Sequence, residues 1–376
     1  MAFNDPHNAF VDLTDEAAAP APEWPRLAVK DMIAVRGCLQ TAGLAARADV
    51  RAAADAAAVA RFRRAGYAVL GTTRSDGAGF GTMTAAVANP AFPGRAVGGS
   101  SGGAAAAVAG GLADIGLGTD TGGSVRIPAA YCGLLAFKPT PERVDMAGVL
   151  PLSETFDVLG VMARDMGALS AAAPLLADRW APSEAVMPPV LRYPAEDLAD
   201  MDPAVSEPFA ALVARWGAAP MYNPVPYRSV AMAHSDIVCA EGLRVHEAAF
   251  ARAPHLFPPV TASALAYAET VPPGRIASAY QTAATVRAAW RQALEPGEVL
   301  VLPTLPMPPA DRWAERVTVA GEDMPVTNAN IRLTLTFNVA GLPVVVAPVD
   351  GLSMQFVAAA GADEWLLEAV AGLLAR

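Results

Sequence analysis

Lysine is almost missing from this 376-residue chain: Lys30 and Lys138 are the only two, and the other 25 of its 27 basic residues are arginine. Arginine keeps its charge inside a protein and cannot act as a base, whereas a desolvated lysine can, so each surviving lysine is worth weighing for chemistry. Cysteine is scarce too. Cys38, Cys132 and Cys239 are odd in number and widely spaced, which argues against a disulfide framework and against a zinc site. Long apolar runs are absent, since Asp114, Asp120, Pro343 and Pro348 break the most apolar stretches before the roughly 20 residues that a membrane span needs. The start of the chain has no basic region followed by an apolar one, so no secretory leader is expected and a reducing cytoplasm fits best. Basic clusters are lacking beyond Arg61, Arg63 and Arg64, and the net charge is −10, which excludes the basic stripe of a nucleic-acid footprint.

What is present is a large apolar fraction: 53% hydrophobic residues against 17% charged, enough for a sizeable core. The chain reads as one domain, 1–376. Residues 1–25, rich in Pro, Ala, Asp and Glu, form a loosely structured lead-in. Leu27–Lys30 reads as a buried strand, 45–65 as a helix closed by Gly66, and Tyr67–Gly71 as a second strand, a strand–helix–strand unit of the α/β class. A helix over 102–113 leads to a strand at Ile115–Gly118 and to a further helix near Ile127-Pro128. Residues 166–290 read as mainly helical, with proline-rich interruptions at 186–194 and 220–227, and build the variable part of a pocket. The continuous apolar runs Val299–Pro303 and Pro343–Ala347 return to central strands, within a closing segment 299–376.

Two serines among glycines carry the chemistry. Gly98-Gly99-Ser100-Ser101-Gly102-Gly103 and Gly118-Thr119-Asp120-Thr121-Gly122-Gly123-Ser124 bracket one alanine-rich helix. A single loop of this kind reads as an N-cap; two admit more. A phosphate cradle needs a Gly-Lys-Ser/Thr step, and neither lysine follows a glycine. Gly98 to Gly102 satisfies the G-x-S-x-G elbow of the α/β-hydrolases, but the prolines before it make a poor strand. The histidines downstream (His234, His246, His255) read as surface or packing residues. The third reading pairs the serines with Lys30 as base.

That third arrangement resembles the amidase signature family. The two glycine loops with the strand between them, Val29-Lys30-Asp31, Gly133 to Thr140 and Pro151 to Asp157 match its pattern, with weaker matches at Leu302-Pro303-Thr304 and Phe337 to Pro343. The signature core spans about 27–165. The resemblance implies an α/β fold with a central mixed sheet covered by helices on both faces. It implies Ser124 as nucleophile, Ser100 as a bridging serine at a cis peptide, and Lys30 as base. It also implies an oxyanion hole of backbone N–H groups at Thr121, Gly122, Gly123 and Ser124. Asp120 and Arg126 support the loop through hydrogen bonds, and Ser101, Thr119 and Lys138 are structural. An alternative for Lys30 is a salt bridge with Asp31.

With 29 residues ahead of Lys30, the chain resembles a compact branch that includes indole-acetamide hydrolases. It departs from the pattern at Ala104, where a serine is usual, and at Pro141-Glu142, where Arg-Gly is usual. The implied reaction cleaves a small or arylacetamide-like carboxamide to acid plus ammonia or amine. It uses no metal or organic cofactor and no nucleic acid or membrane partner, and family analogy points to a homodimer. The alternatives are the A-type subunit of a glutamine-dependent tRNA amidotransferase, and a non-catalytic binding protein on the same fold.

Overall fold

The computed structural model describes residues 3–18, 23–181 and 188–375. Its strands are β1 (Phe10–Leu13), β2 (Arg26–Lys30), β3 (Ala68–Thr73), β4 (Ile115–Asp120), β5 (Leu135–Lys138), β6 (Val158–Ala163), β7 (Val190–Pro194), β8 (Ala219–Met221), β9 (Glu298–Pro303), β10 (Arg316–Val319), β11 (Glu322–Pro325), β12 (Val344–Val349) and β13 (Leu352–Val357). Eleven of them form one sheet in the order β1-β3-β2-β4-β6-β5-β12-β13-β9-β7-β8, while β10 and β11 pair separately. The sheet is mixed. β3, β2 and β4 run parallel, β4 through β13 to β9 pair antiparallel, and β7 is parallel to both β9 and β8. Helices flank it, and every residue of β3, β4 and β6 is buried, as near-continuous apolar strands covered on both faces require.

The parallel trio positions the site. β2, β3 and β4 end at one edge with Lys30, Thr73 and Asp120, and crevices at the carboxyl ends of parallel strands are where α/β sheets place their ligands. The helix Gly102–Ala109 packs on β2, β4 and β6. It approaches so closely that a Cβ on Gly103 would lie 2.5 Å from the Ala9 carbonyl and 2.6 Å from the Arg74 nitrogen.

Four elements differ from the sequence reading. The helix expected over 45–65 is the helix Ala57–Arg64, preceded by a single turn at Ala45–Arg47. The backbone between them is taken by a short ladder in which Val50 and Ala52 exchange hydrogen bonds with Gly37, Cys38 and Gln40. The helix expected over 102–113 closes at Ala109, beyond which the Leu112 and Ala113 amides both turn back to the Ala107 carbonyl. The lead-in holds the edge strand β1, antiparallel to β3. There Asp5 accepts hydrogen bonds from the Ala9 and Phe10 amides at 3.0 and 2.9 Å. Residues 1–2 and 19–22 of that lead-in, and 186–187 of the first proline-rich interruption, lie outside the described residues. Finally, the helical stretch contains β7 and β8. Pro220 inside β8 obscured it, and proline is tolerated there because β8 is an edge strand.

Candidate active site

Lys30 closes β2 and is fully buried. Its Nζ lies 2.7 Å from Ser100 Oγ and 2.7 Å from Thr119 Oγ1. Burial lowers the ammonium to about 8, against the opposing pull of the Asp31, Asp157, Asp76 and Asp120 charges. The alternative salt bridge to Asp31 is not formed: that carboxylate is occupied by Thr41, Ser75 and the Gly43 amide. Ser100 follows a cis Gly99–Ser100 peptide bond. Gly99 is required there, because a Cβ would sit 2.1 Å from Asp76 Oδ2. Asp76 itself is partly buried, desolvation pushes its carboxyl up to about 6, and it accepts from the Thr84 amide and hydroxyl.

The second glycine loop is built around a buried ion pair. Arg126 and Asp120 are both fully buried, with Nη2 to Oδ1 at 2.9 Å and Nε to Oδ2 at 3.1 Å. The remaining guanidinium donors reach Asn338 Oδ1, Gln355 Oε1 and the Thr334 carbonyl, so the buried charge is fully hydrogen-bonded. Burial alone would raise the Asp120 carboxyl, but the Arg126 charge and hydrogen bonds, with Lys138 and Asn338, hold it below the usual carboxylate range.

Asp120 also turns back onto its own loop, accepting from the Gly123 amide at 3.0 Å and the Val125 amide at 3.1 Å. This corrects one expectation. The Gly123 N–H, placed in the oxyanion set, is taken by Asp120. The amides of Thr121, Gly122 and Ser124 donate to no acceptor among the described residues, and all three residues line one cavity. Ser124 is 7% exposed there, and its carbonyl accepts from the Ser101 amide at 3.2 Å, which sets the two glycine loops side by side.

The cavity measures about 710 Å³ and is walled largely by apolar side chains, among them Phe80, Leu152, Met232, Val238, Val260 and Leu335. Its outer wall is the helix Tyr227–Arg252 with parts of Pro259–Thr270 and Pro273–Ala293. His234, read from sequence as an ordinary packing histidine, lies against the loop: Nε2 is 3.0 Å from the Thr121 carbonyl, and the ring stacks on Phe156 at 5.3 Å. Thr119 also does more than expected, as a partner of Lys30. The elbow reading fails on geometry, because no strand leads into Ser100. His246 packs edge-on against Phe257, and His255 is exposed.

The remaining motif residues brace the loops. Asp157 accepts from Thr121 Oγ1 and from the Leu152 and Ser153 amides. Lys138 is fully buried, and its amine, lowered to about 7 by burial and by Arg126, donates to the Pro139 carbonyl. At the departures from the expected pattern, Ala104 is wholly buried, and Glu142 lies 3.7 Å from Arg291. Among the described residues no cluster of three or more His, Cys, Asp or Glu could hold a metal ion, and no helix is long and apolar enough to cross a membrane.

Comparison with known proteins points to one family. Over 143 residues the chain is 45% identical to an indoleacetamide hydrolase of Pseudomonas syringae pv. syringae, a match covering 37% of this chain and 32% of that one. Over 166 residues it is 44% identical to the A-type subunit of the glutamyl-tRNA(Gln) amidotransferase of Natronomonas pharaonis, covering 42% and 39% of the two chains. The matched segments are therefore well under half of these curated relatives. A solved amidase crystal structure superposes with a TM-score of 0.89 at 31% identity, covering 98% of this chain and 91% of the other. A family profile described as Amidase matches residues 26–271, from the strand that ends in Lys30 through both glycine loops to the cavity wall, and the chain belongs to that family.

Proposed function

We propose that this chain hydrolyses a neutral carboxamide with a bulky apolar acyl group, through an acyl-enzyme on Ser124. The observation that carries the reading is the buried Lys30–Ser100 contact of 2.7 Å, with the amine brought near neutrality by desolvation. Neutral Lys30 takes the Ser100 proton as Ser100 takes that of Ser124, and Ser124 Oγ attacks the amide carbon. The carbonyl oxygen gains the negative charge, and the Thr121, Gly122 and Ser124 amides are the donors free among the described residues to meet it. As the tetrahedral species collapses, the relay runs backwards, the departing nitrogen receives the proton, and the C–N bond breaks. Water then enters, gives its proton to the same relay and cleaves the ester, releasing the carboxylic acid and restoring Ser124.

The cavity supports a neutral substrate over glutamine. An amino acid brings an ammonium and a carboxylate, which need charged partners once desolvated. Two of the three lining guanidiniums are already committed, Arg275 to Asp236 at 2.7 Å and Arg332 to Asp200 at 3.0 Å. Among the described residues, the exposed Arg228 at the rim is the lining arginine with no ion-pair partner. An arylacetamide suits that interior, as the name of the Pseudomonas relative also suggests.

The test is labelling of the purified protein with a fluorophosphonate, followed by peptide mapping and assay of arylacetamides against glutamine. One adduct on Ser124, lost in Lys30→Ala, with arylacetamide turnover well above glutamine turnover, is expected. An adduct on another residue, no adduct, or glutamine as the better substrate would overturn the reading.

A further inference from the structure

Each carbonyl of the loop 121–124 can be followed to its partner, and the pattern singles out a residue that no motif contains. In a trans peptide the C=O and the next N–H point in opposite directions, so a group that holds one end aims the other. The Gly122 carbonyl accepts from Thr334 Oγ1 at 2.5 Å, and the Gly123 amide of that same peptide unit points to Asp120 Oδ1 at 3.0 Å. The preceding unit runs from the Thr121 carbonyl to the Gly122 amide. Its carbonyl lies 3.0 Å from His234 Nε2, and its amide, on a residue that lines the cavity, has no acceptor among the described residues. A carbonyl can only accept, so Nε2 carries the proton and His234 donates. The ring is fixed from two sides. It stacks on Phe156 with 21° between the planes, and its Cε1 lies where a Cβ on residue 122 would come within 3.1 Å.

Building on the amidase reading above, we infer that His234 is a positioning residue. By holding the Thr121 carbonyl from the cavity-wall helix, it aims the Gly122 amide at the developing oxyanion. It neither touches the reacting atoms nor exchanges a proton. Its contribution is the direction of one N–H at the moment the oxygen becomes negative, so its loss weakens the transition state more than the bound amide.

The experiment uses the full chain with His234→Ala and His234→Gln, the second able to keep an N–H near the Thr121 carbonyl. On the arylacetamide that the unaltered chain turns over best, His234→Ala is expected to lose about 100-fold in kcat, the cost of misplacing one group by about 1 Å, with KM changed less than about threefold. His234→Gln should recover at least about tenfold of that loss. Affinity for an arylmethyl boronic acid, which forms a tetrahedral adduct on an active serine, should fall in the same ratio as kcat. In the resting protein, 15N NMR of the imidazole should show the Nε2–H tautomer, a readout independent of turnover and of whether the alanine variant folds. A kcat within about twofold of the unaltered chain in His234→Ala, a loss carried in KM alone, or an Nδ1–H tautomer would overturn the inference while Ser124 labelling stands. An unaltered chain with no Ser124 adduct would overturn the amidase reading and this one with it.

Discussion

At the scale of single residues, the proposed mechanism makes Lys30 the group that sets the working pH. A base must be neutral to accept a proton, and burial brings this amine to about 8. Below that value Lys30 holds its proton and the relay is blocked; above it the relay is open. Turnover should therefore climb about tenfold per pH unit on the acid side and level off above about pH 8, which a kcat/KM profile from about pH 6 to 10 would check. Lys30→Arg should not restore activity, because a guanidinium keeps its proton across that whole range. This residue was legible in the sequence because of its rarity: against 25 arginines, a lysine ending an apolar strand stands out. Ser100 and Ser124 were legible through their glycines. His234 was not, since it sits on a long helix 113 positions from Thr121 and no spacing rule connects the two. Thr119 was read as structural, and only the folded geometry shows it sharing the lysine with Ser100.

Among the elements, the helix Tyr227–Arg252 joins the two helices that follow it to the signature loops. Besides His234, its Asp236 accepts from Tyr267 on the next helix and from Arg275 on the one after, at 2.6 and 2.7 Å. Its Glu241 accepts from Ser153 and Thr155 beside the signature loops. Asp236 neutralises a guanidinium in the cavity wall, so Asp236→Ala should leave Arg275 free to meet an anion. The ratio of kcat/KM for a carboxylate-bearing arylacetamide to that for its neutral parent should rise about tenfold, roughly 1.4 kcal/mol of charge complementarity. A ratio is the right measurement because it does not depend on how much of the variant is folded. Such links lie outside the reach of sequence pattern. Periodicity gave the helices of this region, but the partners of Asp236 are fixed by how three helices cross. The same limit explains the helix expected over 45–65: an alanine-rich run reads as helix throughout, and only the backbone pairing of Val50 and Ala52 with 37–40 stops it.

Across the whole molecule, Arg126 ties the early signature loop to the end of the chain. Its partners Thr334, Asn338 and Gln355 lie more than 200 residues away, and all are buried. Replacing Arg126 by methionine of similar length would strand the Asp120 charge and three acceptors. A loss of about 3–5 kcal/mol is expected from breaking such a pair on one side, measurable as a lower urea midpoint at unchanged slope. The strand signals at both ends of the chain announced the α/β class. The order in which eleven strands join was not readable, because pairing across such distances is decided by packing.

The cavity wall described above has a practical corollary for redesign. In the proposed mechanism bond cleavage falls to the sheet edge and its two glycine loops, while much of the cavity wall comes from one contiguous stretch, about Tyr227 to Arg275, completed by Phe80, Leu152 and residues of 322–335. Swapping that stretch for a relative's would be the economical way to retarget the enzyme, with one proviso. Position 234 belongs to the catalytic floor although it is carried by the wall, so a graft that imports specificity and discards this imidazole would acquire a new substrate range on a slower engine.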